Sequence, residues 1–362
     1  MKYTILKGKS PAYIQLYEQI KCDIVDGVYK NGQKLPSKRL LAEELSVSVI
    51  TVEHTYSLLL EEGFIEARER SGYFVCYTPD ATFLPPIESH RTAVPQRHSI
   101  ELADTFPFSV YAKTMRKILS IYGDDIFTRC DDTGASELKS AIREYLLRSR
   151  GIKVSERQIV IGAGAEYLYG IIVQMLGRGR IYAVEKPSYE RIEQVYRANG
   201  ATIDLLPLGQ DGIQSEALSE TNADVLHITP YRSFPSGVTA SASKKREYIR
   251  WVKKAENRII VEDDFESEFT LLSKAEETVF SLSGGKGVIY VNTFSKTVSP
   301  AVRIAYMILP IDMLSLYETR VGFYSCSVPY YNQLVLAEFI NNGDFERSIN
   351  RARRKLRRHI GN

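Results

Sequence analysis

Apolar residues in the first 76 positions recur at helical spacing in three short runs. Tyr13, Tyr17, Ile20 and Ile24 make the first face, and Gly27 with Asn31-Gly32 ends it. Leu40, Leu41 and Leu45 mark a shorter helix that Ser37 would cap. Val52, Tyr56 and Leu59 mark a third, entered through the tripeptide Ser46-Val47-Ser48. Two short helices joined by a three-residue turn predict a helix-turn-helix, whose second helix enters the major groove of DNA. Beyond Gly63, the runs Phe64 to Arg68 and Gly72 to Val75 read as the two strands of a hairpin, a wing. By shape alone, a small helical domain that binds protein reads equally well.

Residues 77–99 carry Pro79, Pro85, Pro86 and Pro95 among polar residues without apolar periodicity, the pattern of a linker. From residue 100 to 362 the pattern changes. Short β-branched runs (Ile159 to Ile161, Ile181 to Val184, Val225 to Ile228, Ile259 to Val261, Val288 to Val291, Ala305 to Leu309) alternate with helical stretches such as Ser188–Asn199 and Lys244–Ala255. That alternation predicts an α/β domain with a mostly parallel sheet covered by helices on both faces. The chain as a whole thus reads as an α+β winged helix over 1–76, a linker, and an α/β domain over 100–362.

Composition narrows the function classes. Hydrophobic residues at 44% and charged residues at 25% of 362 positions exclude a disordered chain. No apolar run reaches the ~18 residues of a membrane span, and the first residues lack an apolar signal core, so a cytoplasmic protein with no membrane partner is expected. Cys22, Cys76, Cys130 and Cys326 lie far apart, which argues against a zinc site or a disulfide framework. The net charge of +3 hides its distribution: residues 1–76 hold ten basic and ten acidic side chains, whereas 347–358 hold seven basic residues and no acid. DNA binding would therefore rest on positive charge focused at Lys34, Lys38, Arg39, Arg68 and Arg70. The basic run reads either as a nucleic-acid patch or, preferably, as the exposed face of a helix.

In parallel sheets ligands bind beyond the C-terminal ends of the strands. There the chain carries Gly162-Ala163-Gly164-Ala165-Glu166 at a helix start, suited to a phosphate or merely a tight turn. Glu262-Asp263-Asp264-Phe265-Glu266-Ser267-Glu268 places five acids within seven residues, a metal site or a solvated strand end. Thr293-Phe294-Ser295-Lys296 follows the next strand, with Arg303 seven residues on. Together these match what pyridoxal 5′-phosphate requires: a lysine amine for its Schiff base, an acid at the pyridine nitrogen and donors for its phosphate.

Both halves resemble known families. The run from Pro11 through Leu35-Pro36-Ser37-Lys38-Arg39, Leu41-Ala42, Val47-Ser48, Thr51-Val52, Tyr56, Leu59, Glu62-Gly63 and Ser71-Gly72-Tyr73-Phe74-Val75 resembles the GntR-type winged helix. The resemblance implies DNA contacts from Ser37, Lys38, Arg39, Ser48, Thr51, Arg68, Arg70 and Gly72. Val49 replaces an arginine usual in that family. The larger half resembles the fold-type I aminotransferase domain of MocR-type regulators, on Gly134…Leu138…Ala141-Ile142, Gly162-Ala163-Gly164, Glu185-Lys186-Pro187-Ser188-Tyr189-Glu190-Arg191, Thr229-Pro230…Phe234-Pro235-Ser236-Gly237, Glu262-Asp263-Asp264-Phe265 and Thr293-Phe294-Ser295-Lys296. It implies that Lys296 is the Schiff-base lysine and Asp263 the partner of the pyridine nitrogen. Tyr189 would stack on the ring, and Thr293, Ser295 and Arg303 would hold the phosphate with the backbone of Gly164, Ala165 and Glu166. Arg191 would meet an effector carboxylate. Phe265 stands where the family has Tyr, Ala165 where a hydroxyl residue is frequent, and Tyr231-Arg232-Ser233 where Ser-His-Gln is usual. The family also continues into a C-terminal lobe, so the chain is expected to stop inside the connecting helix, Asp344–His359.

The reading expected from the resemblance is a transcription regulator that binds an operator in double-stranded DNA. It would form a homodimer and sense a small amino compound through pyridoxal phosphate at Lys296. A pyridoxal-phosphate-dependent aminotransferase with an accessory N-terminal module is the competing expectation, and a large domain that only dimerises is a third.

Overall fold

The computed structural model describes residues 3–6, 10–78, 106–270 and 277–360. The chain divides into two compact units, 1–96 and 97–362. The expected linker at 77–99 falls almost wholly outside the described residues.

In the first unit, α1 (Ala12–Val25), α2 (Lys38–Leu45) and α3 (Val49–Glu61) are followed by β1 (Ile65–Arg68) and β2 (Gly72–Val75). The apolar spacing does what it predicts: Tyr17, Ile20, Ile24, Leu41, Val52, Tyr56 and Leu59 share one core with Leu16, Leu35, Ile65 and Val75. Tyr13 is only half-buried, because Leu16, one residue before Tyr17, takes the centre of that face. Ser37 and Ser48 cap α2 and α3, each accepting a backbone N–H three residues on. Between the helices Ser46 adopts a left-handed φ of 53°, which compresses the connection to three residues. The antiparallel hairpin pairs Ile65 with Val75 and Arg68 with Gly72.

The second unit begins with α4 (Phe108–Tyr122) and α5 (Ser136–Arg150). Then β3 (Ile159–Gly162), α6 (Ala165–Leu176), β4 (Ile181–Lys186), α7 (Glu190–Ala198), β5 (Thr202–Pro207), α8 (Ser215–Glu220), β6 (Val225–Ile228) and α9 (Ala242–Lys253) alternate. They lead into β7 (Ile259–Asp263), α10 (Val279–Ser283), β8 (Val288–Thr293), α11 (Phe294–Thr297) and β9 (Ala305–Ile308), and the unit closes with α12 (Leu314–Arg320), α13 (Tyr330–Asn341) and α14 (Asp344–Ile360). The seven strands order as β3-β9-β8-β7-β6-β4-β5. All pairings are parallel except those of β9, which runs against β3 and β8.

Both faces of the sheet are buried, as uninterrupted β-branched runs demand. Tyr290 and Ile260 face one core with Leu138, Ile142, Tyr248 and Phe339. Ile289, Val291 and Val261 face the other with Leu168, Ile172, Ile192 and Tyr196. The strand β5 was not expected. As an edge strand it is only partly buried, so its sequence Thr-Ile-Asp-Leu-Leu-Pro lacks the continuous apolar run of its neighbours.

Candidate functional site

Parallel strands deliver their following loops to a common rim, and the cavity lies there. Gly162 ends β3 and leads through Gly164 into α6. Asp263 ends β7, Thr293 ends β8, and Lys296 sits in α11 directly after it. Because β9 is reversed, the residues just before it, including Arg303, reach the same rim. Ala165, Glu166, Tyr169, Tyr189, Arg191, Thr229, Asp263, Phe265, Thr293, Ser295, Lys296 and Arg303 line one cavity of about 340 Å³. The structure therefore brings together nine of the ten residues expected at the cofactor and effector sites. The tenth, Gly164, abuts the wall: a Cβ placed there would lie 2.6 Å from an Nη of Arg303. With its φ of 99°, this position requires glycine twice over. Arg303 itself holds a left-handed φ of 48°, a backbone cost of the kind that persists where a side chain must be aimed.

Asp263 is buried, and its Oδ2 accepts the hydroxyl of Tyr169 at 2.5 Å. Its Oδ1 has no hydrogen-bond partner among the described residues, and neither does the buried Oγ of Ser295. A buried carboxylate oxygen without a donor costs on the order of 1–3 kcal/mol or more, so such atoms in a cavity wall point to a ligand. Beneath Asp263, His227 bonds Tyr196 through Nδ1 at 2.7 Å. Its Nε2 lies 3.9 Å from Asp263 Oδ2 and is also without a partner among the described residues. The amine of Lys296 lies 3.3 Å from Glu266 Oε1 and faces the ring of Phe265.

Tyr169, His227, Thr229 and Glu185 belong to the site's surroundings; the first two were not foreseen, and Thr229 and Glu185 were read only within the motifs that carry the resemblance, without a role of their own. Tyr169 and His227 sit on fully buried stretches of α6 and β6, where the sequence pattern reads simply as core. Glu185, at the end of β4, is buried and accepts Ser233 Oγ–H at 2.6 Å and Thr229 N–H at 3.1 Å. It thereby ties the loop after β6 to the neighbouring strand. Burial pushes its carboxyl up to about 7, against the opposing pull of those two donors.

The acids at the end of β7 and just beyond it correct one expectation. They are not a solvated strand end: Glu262, Asp263, Asp264 and Glu268 are all buried. Glu262 accepts the N–H groups of Val279 and Phe280 at 2.7 Å each, anchoring the start of α10. Asp264 pairs with Arg150 at 3.0 Å and accepts Tyr290 O–H at 2.7 Å. Glu268 accepts from Asn292 at 2.9 Å. Each acid thus has its own partner, and among the described residues no cluster suits a metal ion.

Glu166 departs from expectation in another way. Its side chain, not only its backbone, meets the two arginines of the cavity: one carboxylate oxygen meets Arg303 at 2.6 Å and the other Arg191 at 3.1 Å.

In the first unit, the expected DNA contacts fall on three adjoining features. Ser37, Lys38 and Arg39 start α2; Ser48 and Thr51 start α3; Arg68, Arg70 and Gly72 belong to the hairpin. Lys38 links them, with its amine 2.6 Å from Glu53 on α3 and over the ring of Tyr73 on β2. The hydroxyls of Ser48 and Thr51 bond each other at 2.8 Å, and Val49 and Ile50 stand exposed on the same turn. Arg68 pairs with Glu66 at 2.7 Å and stacks over Phe74. Arg70 turns the hairpin with a φ of 58°.

Comparison with known proteins agrees with both halves. Residues 12–75 match the gntR family of bacterial regulatory proteins, and residues 104–360 match aminotransferase class I and II. The HTH-type transcriptional regulator YdeL of Bacillus subtilis is 34% identical over 96% of this chain and 77% of its own length. The chain belongs to the MocR-type branch of the gntR regulators. Other relatives of this branch are the probable rhizopine catabolism regulatory protein MocR of Rhizobium meliloti, 28% identical over 95% of this chain and 74% of its own, and the pyridoxine biosynthesis regulator PdxR of Corynebacterium glutamicum, 26% identical over 95% and 76%. Among solved structures, the kynurenine aminotransferase of Pyrococcus horikoshii superposes with a TM-score of 0.63 at 24% identity, over 69% of this chain and 64% of that one. The chain thus spans about three quarters of those curated relatives and somewhat less than two thirds of that aminotransferase, a likeness that shows the fold. MocR-type membership and an aminotransferase class I and II fold imply pyridoxal phosphate in general terms, and the cavity's chemistry fits that group. An unpartnered carboxylate oxygen, an amine, the hydroxyls of Ser295 and Thr293 and a guanidinium line the same wall.

Proposed function

We propose that this chain is a cytoplasmic transcription regulator whose winged helix binds an operator and whose larger unit holds pyridoxal phosphate and responds to a small amino compound. The observation that carries the cofactor reading is the buried, unpartnered Oδ1 of Asp263 in the cavity that also holds Lys296, Ser295 and Arg303. Pyridoxal phosphate supplies an electrophilic carbonyl for amines and a ring that draws electrons from what is attached to it. In this reading Asp263 keeps a proton on the pyridine nitrogen, held in place by Tyr169. Lys296 is the anchoring amine, Tyr189 covers the ring, and Arg303, Ser295, Thr293 and the backbone at the start of α6 bind the phosphate. Arg191, exposed beside Tyr189, is the group that meets an effector.

A homodimer is part of the proposal. The second unit exposes Phe108, Leu119, Ile121, Phe127 and Phe323, large apolar side chains of the kind that a subunit interface covers. A two-fold dimer would present two winged helices to a pseudo-palindromic operator.

The deciding experiment is the visible spectrum of the full chain titrated with pyridoxal phosphate. Absorbance at roughly 400–430 nm is expected, and it should be absent from Lys296→Ala. A wild-type protein that never absorbs there with added cofactor defeats the sensing claim. Steady turnover of an amino donor with a 2-oxo acid, together with no sequence-specific DNA binding, would favour the aminotransferase alternative.

A further inference from the structure

One carboxylate in the cavity already does the work expected of a ligand's anion. Glu166 is the second residue of α6, and its two oxygens divide between Arg303 at 2.6 Å and Arg191 at 3.1 Å. Its side chain is 24% exposed, against 51% for Arg303 and 61% for Arg191, so the acid lies deeper than either base. Burial alone would raise its carboxyl; hydrogen bonds from Arg303 and Arg191 override that and hold it below the usual carboxylate range. It is therefore ionised at neutral pH, at a helix N-terminus that also favours negative charge.

The surroundings strengthen the point. Arg303 rises from a backbone with a left-handed φ of 48°, and the missing Cβ at Gly164 leaves room for its guanidinium close to the start of α6. Ala165 brings no hydroxyl to this end of the cavity. A phosphate arriving at Arg303 would meet a guanidinium whose charge is already shared with a fixed carboxylate, and two anions a few ångströms apart repel.

We propose that Glu166 is a built-in competitor for the anion site. Its carboxylate opposes the phosphate of a bound ligand at Arg303 and, while paired with Arg191, keeps that arginine from an effector carboxylate. Glu166 is thus a specificity-determining residue that weakens phosphate-bearing ligands selectively and makes their binding readily reversible. This inference rests on the pyridoxal phosphate reading for its biological ligand, but not for its electrostatics.

The test compares wild type with Glu166→Gln in titrations with pyridoxal phosphate, with pyridoxal, which lacks the phosphate, and with inorganic phosphate. Visible absorbance reads the first two and calorimetry the third. Removing the charge is expected to tighten pyridoxal phosphate and inorganic phosphate by about tenfold, a change of ~1.4 kcal/mol, and to leave pyridoxal unchanged. Weaker phosphate binding in the variant, or an equal shift for pyridoxal, would overturn the proposal, because Glu166 would then serve to hold the arginines in place. If neither protein absorbs with pyridoxal phosphate, the cofactor reading fails; the inorganic phosphate comparison still decides the role of Glu166, tighter binding in the variant supporting it and equal binding refuting it. Glu166→Ala gives the same comparison should the Gln variant fail to fold.

Discussion

Tyr169 donates its hydroxyl to Oδ2 of Asp263 across 2.5 Å in the buried floor of the cavity, and Oδ1 is left without a hydrogen-bond partner among the described residues. This bond orients the carboxylate that, in the proposed reading, faces the ring nitrogen. Tyr169→Phe removes the donor while keeping the ring that packs near Tyr196 and His227. Cofactor affinity should fall by about 1–2 kcal/mol, roughly tenfold, in a titration followed by visible absorbance. An unchanged affinity would show that Asp263 needs no such support.

Glu185 makes stability depend on pH. Its folded-state value of about 7 lies above the ~4.3 of an unfolded glutamate. Between those values the folded chain keeps a proton that the unfolded chain gives up. Stability must therefore fall as pH rises through that window, by at most ~1.4 kcal/mol per unit, and level off above it. Glu185→Gln cannot titrate and keeps an acceptor for Thr229, so its loss between pH 5 and 7 should be smaller than that of wild type. Urea midpoints of the larger unit's transition at several pH values read this directly.

The pair Arg150–Asp264 is almost fully enclosed, each side chain 4% exposed. Breaking such a pair strands a buried charge and costs ~3–5 kcal/mol. Arg150→Met should lower the denaturation midpoint accordingly, the more so because Glu268 lies close enough to Arg150 to feel its charge. Adding Asp264→Asn to that variant should recover part of the loss; no recovery would mean that the damage came from packing.

In the first unit, capping and charge can be separated. Ser48→Ala removes the acceptor for Thr51 N–H at 3.1 Å and should cost about 1 kcal/mol of stability. Arg70→Gln should leave stability unaltered and lower the salt dependence of DNA binding, by about 0.9 in the logarithmic slope for one lost phosphate contact. Glu53→Gln releases Lys38 from its ion pair and should strengthen binding at low salt. Gel-shift or anisotropy titrations at several salt concentrations distinguish the three variants.

Much of this molecule was legible in its residues, for physical reasons that differ from place to place. The helix-turn-helix followed from spacing because a small unit has one core, and Val52, Tyr56 and Leu59 must face it. The central strands followed from their unbroken apolar runs; β5 did not, because an edge strand needs no such run. That Lys296, Asp263 and Arg303 would share one cavity was readable from the order of short motifs at strand ends. Tyr169 and His227 were missed because a polar atom on a buried element leaves no periodic trace. The setting of Glu166 was half seen: its position at the helix start was read, whereas its side-chain partners, 25 and 137 residues away, could only be learned from the fold.

The reversed strand β9 has a mechanical consequence. Lys296 and Arg303 hang from one short connection between β8 and β9, pinned at its root where Phe294 N–H donates to Ile304 O at 2.8 Å. The backbones that carry the amine and the guanidinium are therefore mounted on a single bracket. A ligand gripped at both points is measured against a ruler only seven residues long. Lengthening that connection by one residue would change the gauge without replacing any residue that lines the cavity.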